Sequence, residues 1–402
     1  METGPRGGPS LYLSPVSSEP SVDIALVGAG PVGGTLALAI AQSGLSIVAL
    51  DAREAGGTLR GDRSLAISHG GRLIFERLGI FAPLASTPGA VSPITAIDIS
   101  QARAFGTATL TADEHALPAL GYVVSYRALQ SAIDEALART SVEIRYACEV
   151  AKVQGGPEFA EATTAGGDAL RARLAVVADG TGAAVDGVSR KRRDYGQVAL
   201  IAKVTTASPH GGVAYERFTN SGPVALLPEV DRYGLVWTMT PVAAAAAMEW
   251  SDERFLEELS RHFGTRRNDF TSVRERKTFP LALELAQPAV VARAVLVGNA
   301  AQSLHPIAGQ GFNLGLRDAF ELAHAINETP RESLGGHAML ARYAARRLVD
   351  RYAGVAFTHG LTHIFALDGA IFAWPRGLAL AALDALPFAK RAFTRAMMFG
   401  MS

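Results

Sequence analysis

The feature that most constrains this chain is a short apolar run, Val22 to Val27, that breaks into Gly28-Ala29-Gly30-Pro31-Val32-Gly33 and continues as an Ala- and Leu-rich stretch. An apolar run of that length ending in glycine reads as a buried strand, and Pro31 to Ser43 reads as a helix closed by Gly44. A second apolar run, Ser46 to Leu50, ends at Asp51. Strand, helix and strand of these lengths make a βαβ unit with parallel pairing. The three glycines have separate jobs: Gly28 permits the tight turn, Gly30 lets the backbone approach a pyrophosphate, and Gly33 lets helix and strand pack closely. The helix N-terminus offers unpaired N–H groups and a positive dipole end to phosphates. Asp51 follows at about the 20-residue offset of a ribose-binding carboxylate. An acid there suits a free 2′-hydroxyl, hence FAD or NAD rather than a 2′-phosphate. A glycine turn with no ligand is the alternative, and the strand–helix context with Asp51 weighs against it.

The remaining pattern predicts one α/β domain interrupted by another. Arg53 to Ser68 reads as a polar loop, Gly71 to Leu78 and Tyr126 to Arg139 as helices, and Val142 to Val150 as a strand. Leu174 to Ala178 is another buried strand, breaking at Asp179-Gly180. Between about 195 and 280 the texture changes. Val198 to Thr205, Val213 to Phe218, Val224 to Leu227 and Tyr233 to Thr240 look like strands of a more antiparallel sheet, with helices at Ala243 to Ala247 and Asp252 to Phe263. Ala294 to Val297 returns to the first type, and the chain from Gly309 on reads as mostly helical. The expected architecture is a Rossmann-like domain over 21–90, 120–194 and 281–330, an inserted, mostly antiparallel substrate domain over 91–119 and 195–280, a helical region over 331–402, and a disordered extension over 1–20.

Composition narrows the partners. Lys plus Arg is 38 and Asp plus Glu is 38, so the basic excess that nucleic acid requires is missing. The single cysteine, Cys148, excludes an internal disulfide framework and a multi-cysteine metal site; it reads as a small apolar residue in a reducing compartment. No stretch reaches the ~20 uninterrupted apolar residues that span a bilayer. A cytoplasmic location is expected. Leu378 to Met398, apolar with Lys390, Arg391 and Arg395, fits either a peripheral helix on the inner membrane surface or a helix packed on the domain or a partner subunit.

A second glycine-rich segment says more. Val297-Gly298-Asn299-Ala300-Ala301-Gln302-Ser303-Leu304-His305-Pro306-Ile307-Ala308-Gly309-Gln310-Gly311-Phe312-Asn313 and on to Ala319 reads as strand, turn, glycine loop and helix. Gly309 and Gly311 let the backbone lie against a flat ligand, and the following helix N-terminus would stabilise the charge of a reduced flavin. With these residues the chain resembles the FAD-dependent aromatic hydroxylases of the para-hydroxybenzoate hydroxylase type. Within them it is similar to the ubiquinone-biosynthesis hydroxylases, nearest to the 2-polyprenyl-6-methoxyphenol hydroxylase branch, over about Val22 to Phe365. Asp62-Arg63-Ser64-Leu65-Ala66, Tyr126-Arg127-Ala128-Leu129-Gln130, Ala178-Asp179-Gly180, Gly222 to Pro228 and Phe279-Pro280-Leu281 match further family segments. The chain departs from the family where Gly298 is followed by Asn299 rather than Asp, where Gln302 replaces a frequent His, and after Asp179-Gly180, where Thr181-Gly182-Ala183-Ala184-Val185 blurs the usual downstream Ser and Arg.

The resemblance implies an FAD monooxygenase. NAD(P)H would reduce the FAD, and the reduced flavin would use O2 to hydroxylate a polyprenylated phenol in a dry cavity. Arg63, Arg127, Gln130, Asp179, Gly298, Asn299, Gly309, Gln310, Gly311 and Asn313 join Gly28, Gly30, Gly33 and Asp51 as expected cofactor contacts. His305 and Pro306 are expected beside the flavin ring, with His305 read as a loop residue rather than a base. Only one dinucleotide-type glycine motif is present, so the reductant is expected to bind transiently in the substrate cleft. Other ubiquinone-biosynthesis proteins are implied as partners. A prenyl-lipid reductase, or a non-catalytic subunit keeping the fold as scaffold, would share the opening motif.

Overall fold

The computed structural model describes residues 20–57, 63–102, 104–180, 182–304, 309–366 and 370–400. Most of the 1–20 extension, Asp62, His305 and Pro306 therefore lie outside the described residues.

Val22–Val27, Ile47–Leu50 and Glu143–Arg145 pair in parallel in that order. On its other side Val22–Val27 pairs in parallel with Ala169–Val177. The N-terminal half of Ala169–Val177 is antiparallel to Ala160–Thr164, whereas its C-terminal half is parallel to Ala294–Leu296. One long strand thus serves two neighbours along one edge and Val22–Val27 along the other. Central strands of such a sheet are buried on both faces, which is why Ile24 to Val27 and Leu174 to Val177 are almost wholly inaccessible. Apolar clusters lie on both faces: one carries Leu36, Ile133 and Leu322 from the surrounding helices, the other Val153, Ala162 and Ala286.

Eight strands of the described residues make the second sheet, in the order Gln302–Ser303, Phe270–Gln287, Ser189–Thr206, Arg232–Met239, Gly222–Glu229, Val213–Thr219, Ala96–Gln101, Thr107–Thr111. All neighbours are antiparallel except Val213–Thr219 with Ala96–Gln101, which run parallel in register Glu216↔Ile99. One face packs on helix Asp252–Phe263, whose Phe255, Leu259 and Phe263 are buried with Tyr233 and Trp237. That helix is delimited by local chemistry. The Ser251 hydroxyl accepts from the Arg254 N–H at 3.3 Å, Asp252 and Glu253 sit in the first turn, and Gly264 follows at φ +58°.

Three sequence expectations shift. The first helix ends at Ile40 rather than Ser43, before the Gly44 turn. The polar loop after Arg53 contains a strand, Ser64–Ser68, paired with Gly121–Ser125. Val142 to Val150 is two strands, not one. After Glu143–Arg145 the chain turns at Ala147 (φ +51°), donates from the Ala147 and Cys148 amides to the Arg53 and Asp51 carbonyls at 2.7 and 2.9 Å, and rejoins the sheet's far side as Val150–Gly155. The alternation of apolar and charged residues over 142–150 hides that turn, because the interruption is made by backbone and not by turn-forming Gly, Pro, Asn or Asp.

From Gly309 the described chain is mainly helical: Gln310–Asn327, His337–Ala366, Ala370–Ala385 and Pro387–Phe399.

Candidate functional site

In a parallel sheet, ligands bind beyond the carboxyl ends of the strands. Here Gly28, Asp51 and Ala178-Asp179 follow such ends directly, and Gly298 follows one after a single residue. They open on one cleft of about 550 Å³, which the second sheet closes from the other side through Glu216, Ala225, Leu227 and Val236.

The glycine turn is packed as its spacing demands. Gly28 adopts φ +89°, and a Cβ there would stand 2.7 Å from the Asp179 Cα. A Cβ on Gly33 would stand 2.0 Å from the Gly28 carbonyl oxygen. Gly30, by contrast, has nothing within 4 Å of its Cβ direction, so its free side faces the cleft. Gly30 caps helix Pro31–Ile40 without any side-chain hydrogen bond, which leaves that helix N-terminus open to a ligand.

Asp51 is 4% exposed. Its Oδ2 accepts the Ala29 N–H at 2.7 Å, and its Oδ1 accepts the Arg53 N–H at 2.8 Å and Arg53 Nε at 3.0 Å. Arg53 also reaches Asp134 at 3.1 Å and the Ala29 carbonyl at 3.2 Å. Gln130 donates to the same Ala29 carbonyl at 3.0 Å and to Asp134 at 2.8 Å. Gln130 therefore holds the glycine turn from behind and does not line the cleft. Arg63 lines it, with its guanidinium 4.6 Å from the centre of the Tyr126 ring. Arg127 is exposed in the first turn of helix Tyr126–Leu137 and is not part of the lining.

Asp179 lies at the opposite wall. Its Oδ2 accepts the Ala183 N–H at 2.7 Å, while its Oδ1 is buried with no hydrogen-bond partner among the described residues. Burial pushes this carboxyl above its usual range, a cost the Ala183 N–H only partly offsets. An orphaned acceptor at a cleft wall is what a ligand hydroxyl or N–H would satisfy.

At the other end Gly298 and Gly309 both have positive φ, +60° and +61°. A Cβ on Gly309 would meet Ala66 Cβ at 2.7 Å. Gly309 caps helix Gln310–Asn327 without a side-chain cap, and Gly311 borders open space. Among the described residues, no side chain caps this second helix N-terminus either. Asn299 is exposed at the cleft edge. Asn313 turns inward and clamps two segments: its Nδ2 donates to the Ala66 and Gly309 carbonyls at 3.0 and 2.8 Å, and its Oδ1 accepts the Ser68 N–H at 2.7 Å. Gln310 points away from the cleft, with Nε2 3.6 Å from Met397 Sδ.

Four residues without a role in the sequence reading organise this site. Arg53 and Asp134 brace the first turn. Asp318 braces the second, accepting from the Gly298 N–H at 3.1 Å, Gln302 Nε2 at 2.6 Å and Arg347 Nε at 2.8 Å, all buried. Glu216 is the fourth, and its alternation could have exposed it. It shares a strand face with Ala214 and Phe218, both buried, so a carboxyl occupies an apolar-phase position.

Two open helix N-termini, backbone glycines at both ends and the orphaned Asp179 oxygen suit a long ligand with a diphosphate and a flat ring. A larger groove of about 900 Å³ lies behind Gln302 and Asp318, but the glycine turns do not open on it.

Comparison with known proteins agrees. The model of the FAD binding domain family matches residues 21–355. Ubiquinone hydroxylase UbiL of Rhodospirillum rubrum is 33% identical over 97% of this chain and 92% of its own length. The 3-demethoxyubiquinol 3-hydroxylase of Escherichia coli is 30% identical over 82% of this chain and 86% of its own. Among solved structures, p-nitrophenol 4-monooxygenase of Pseudomonas putida superposes with a TM-score of 0.74 at 16% identity, covering 96% of this chain and 100% of that one, which supports the fold. With the cleft's geometry, these likenesses establish that the chain belongs to the FAD binding domain family, among its FAD-dependent hydroxylases of ubiquinone biosynthesis.

Proposed function

We propose that this enzyme hydroxylates a polyprenylated phenol of the 2-polyprenyl-6-methoxyphenol kind, drawing electrons from NAD(P)H and oxygen from O2. The observation that carries the reading is the change of character along one cleft. It begins at glycine turns and helix N-termini suited to a dinucleotide and ends against the aliphatic face of an antiparallel sheet, Ala225, Leu227 and Val236. Bound there, FAD supplies two-electron chemistry and oxygen activation.

The chain's own residues would do the rest. Gly28, Gly30 and Gly33 shape the turn for the diphosphate. Asp51, oriented by Ala29 and Arg53, would take ribose hydroxyls, and Arg63 and the Asp179 Oδ1 would contact the cofactor's polar middle. Gly298, Asn299, Gly309 and Gly311 would lie along the ring end. Gln130 and Asn313 support the turns, whereas Gln310 and Arg127 lie away from the cleft. The sheet face excludes water, which protects a reactive oxygen species from wasteful loss. The printed names of the relatives, a ubiquinone hydroxylase and a demethoxyubiquinol hydroxylase, support the substrate class.

A peripheral membrane contact belongs to the same reading, since a polyprenyl tail partitions into lipid. The C-terminal helices expose Trp374, Leu378 and Phe388 beside Arg391 and Arg395. Lys390, expected on that surface, turns inward instead and pairs with Glu114 at 2.7 Å and Asp384 at 3.3 Å. No described helix is long and apolar enough to cross a membrane.

The test is NAD(P)H and O2 consumption by the FAD-loaded protein with a short-chain 2-prenyl-6-methoxyphenol, under 18O2, with product masses recorded. A product carrying one labelled oxygen is expected. Flavin reduction with no oxygenated product across several phenols would overturn the reading.

A further inference from the structure

We propose that Glu216 is the substrate-orienting group of the cleft, hydrogen-bonding the oxygen substituent of the aromatic ring from the face of the antiparallel sheet. The proposal rests on the phenol reading above and deepens it.

The backbone fixes where Glu216 points. On Val213–Thr219 its neighbours Tyr215 and Arg217 face the helical layer: Tyr215 packs edge-on to Tyr233 and Phe263, and Arg217 bonds Ser100 and the His262 carbonyl. With a period of two, Glu216 must face the other way, into the cleft that it lines. Across the sheet its row reads Ile99, Glu216, Ala225, Val236. One carboxyl therefore stands in an aliphatic row, and its Oε1 is buried with no hydrogen-bond partner among the described residues.

Among the described residues, the flanking elements supply no counter-charge. Asp98 of the adjoining strand pairs with Arg266 on the opposite face. Glu229, at the far end of Gly222–Glu229, is held by Lys203 and Ser64. In the described part of helix His337–Ala366, Asp350 pairs with Arg317 and Arg347, and Arg351 bonds the Ala286 and Ala301 carbonyls. Across the cleft, Arg53 is held by Asp51 and Asp134, Arg63 stacks on Tyr126, and Asp179 is the other acid. Burial alone pushes the Glu216 carboxyl up to about 8. At neutral pH it is then a neutral acid, one O–H donor with acceptor capacity left over. A phenol or methoxyphenol presents the complement, an O–H and ether or hydroxyl oxygens. In an apolar wall, one two-sided polar group fixes which edge of a ring turns toward the sheet, and so which carbon meets the oxidant.

The sign of the pH dependence follows. The neutral form binds, so affinity holds below about pH 8 and falls as pH rises through it, up to tenfold per unit above. The FAD-loaded wild type, Glu216→Gln and Glu216→Leu are titrated with 2-prenyl-6-methoxyphenol from pH 6 to 9.5, reading flavin absorbance changes, and hydroxylated product is then measured per NAD(P)H oxidised. Glu216→Gln, a neutral donor and acceptor, is expected to bind within about threefold of wild type at pH 7 and to lose the alkaline fall. Glu216→Leu is expected to bind about tenfold or more weakly, because the phenol oxygen is left unpaired, and to uncouple NAD(P)H oxidation from hydroxylation. Leu as good as Gln, or Gln as poor as Leu with a full melting transition, would overturn the assignment. A wild type that neither binds nor hydroxylates phenols would overturn the functional reading itself, whatever the variants do.

Discussion

Asp318 is the place where one atom change should reach furthest. The residue is 3% exposed and its carboxylate serves three donors: the Gly298 N–H, Gln302 Nε2 and Arg347 Nε. Arg347 is itself 4% exposed and shares Asp350 with Arg317. Replacing Asp318 by Ala strands a buried guanidinium beside one remaining acid and frees the turn that fronts the cleft. Removing one partner of a buried ion pair costs about 3–5 kcal/mol. At about 2.1 cal/mol/K of unfolding entropy per residue, a chain of this length should melt about 4–6 °C lower. Asp318→Asn, which keeps the shape but not the charge, should fall between. Melting is followed by circular dichroism and cofactor content by flavin absorbance, because loosening Gly298 should also empty the cleft of FAD. If Asp318→Ala melts within about 1 °C of wild type and keeps its flavin, the network does not brace the turn and the reasoning fails.

Other outcomes follow from the same geometry. Gly30→Ala should lose FAD yet melt like the wild-type apoprotein, since its Cβ meets nothing, whereas apo Gly33→Ala should lose at least about 2 kcal/mol as well, since its Cβ lies 2.0 Å from the Gly28 oxygen; equal melting temperatures of the two apo variants would contradict the distinction. Asp179→Ala should weaken FAD binding by about 1–3 kcal/mol, measured by flavin fluorescence on titrating the apoprotein, and unchanged affinity would place its Oδ1 away from the cofactor. Cys148→Ser should leave turnover unchanged, because Cys148 is only part-buried and does not line the cleft. A chain truncated at Leu378 should lose co-sedimentation with anionic liposomes if the exposed C-terminal face binds lipid; equal sedimentation of both forms would sink that idea.

Much of the nucleotide side was legible because its logic is local. Gly28, Gly30 and Gly33 are required by a strand–turn–helix closing within a few residues, and Asp51 sits where the next parallel strand must end. The same holds for Gly309, whose positive φ marks the start of helix Gln310–Asn327. What only the tertiary structure decided is how distant segments share a wall. Glu216 and Ala225 meet Asp179 and Gly298 across two different sheets, and Asp318 reaches back to Gly298 from the middle of a helix. Gln130, Gln310 and Asn313 look alike in sequence, as amides near the starts of helices. Only the fold shows that Gln130 and Asn313 fasten turns from behind while Gln310 turns to Met397. Backbone conformation is set by neighbours in the chain, so it leaves a mark in the sequence. The alternation of Val213–Thr219 marks which face Glu216 takes, but what covers that face, and so the charge forbidden or permitted there, is set by residues many positions away.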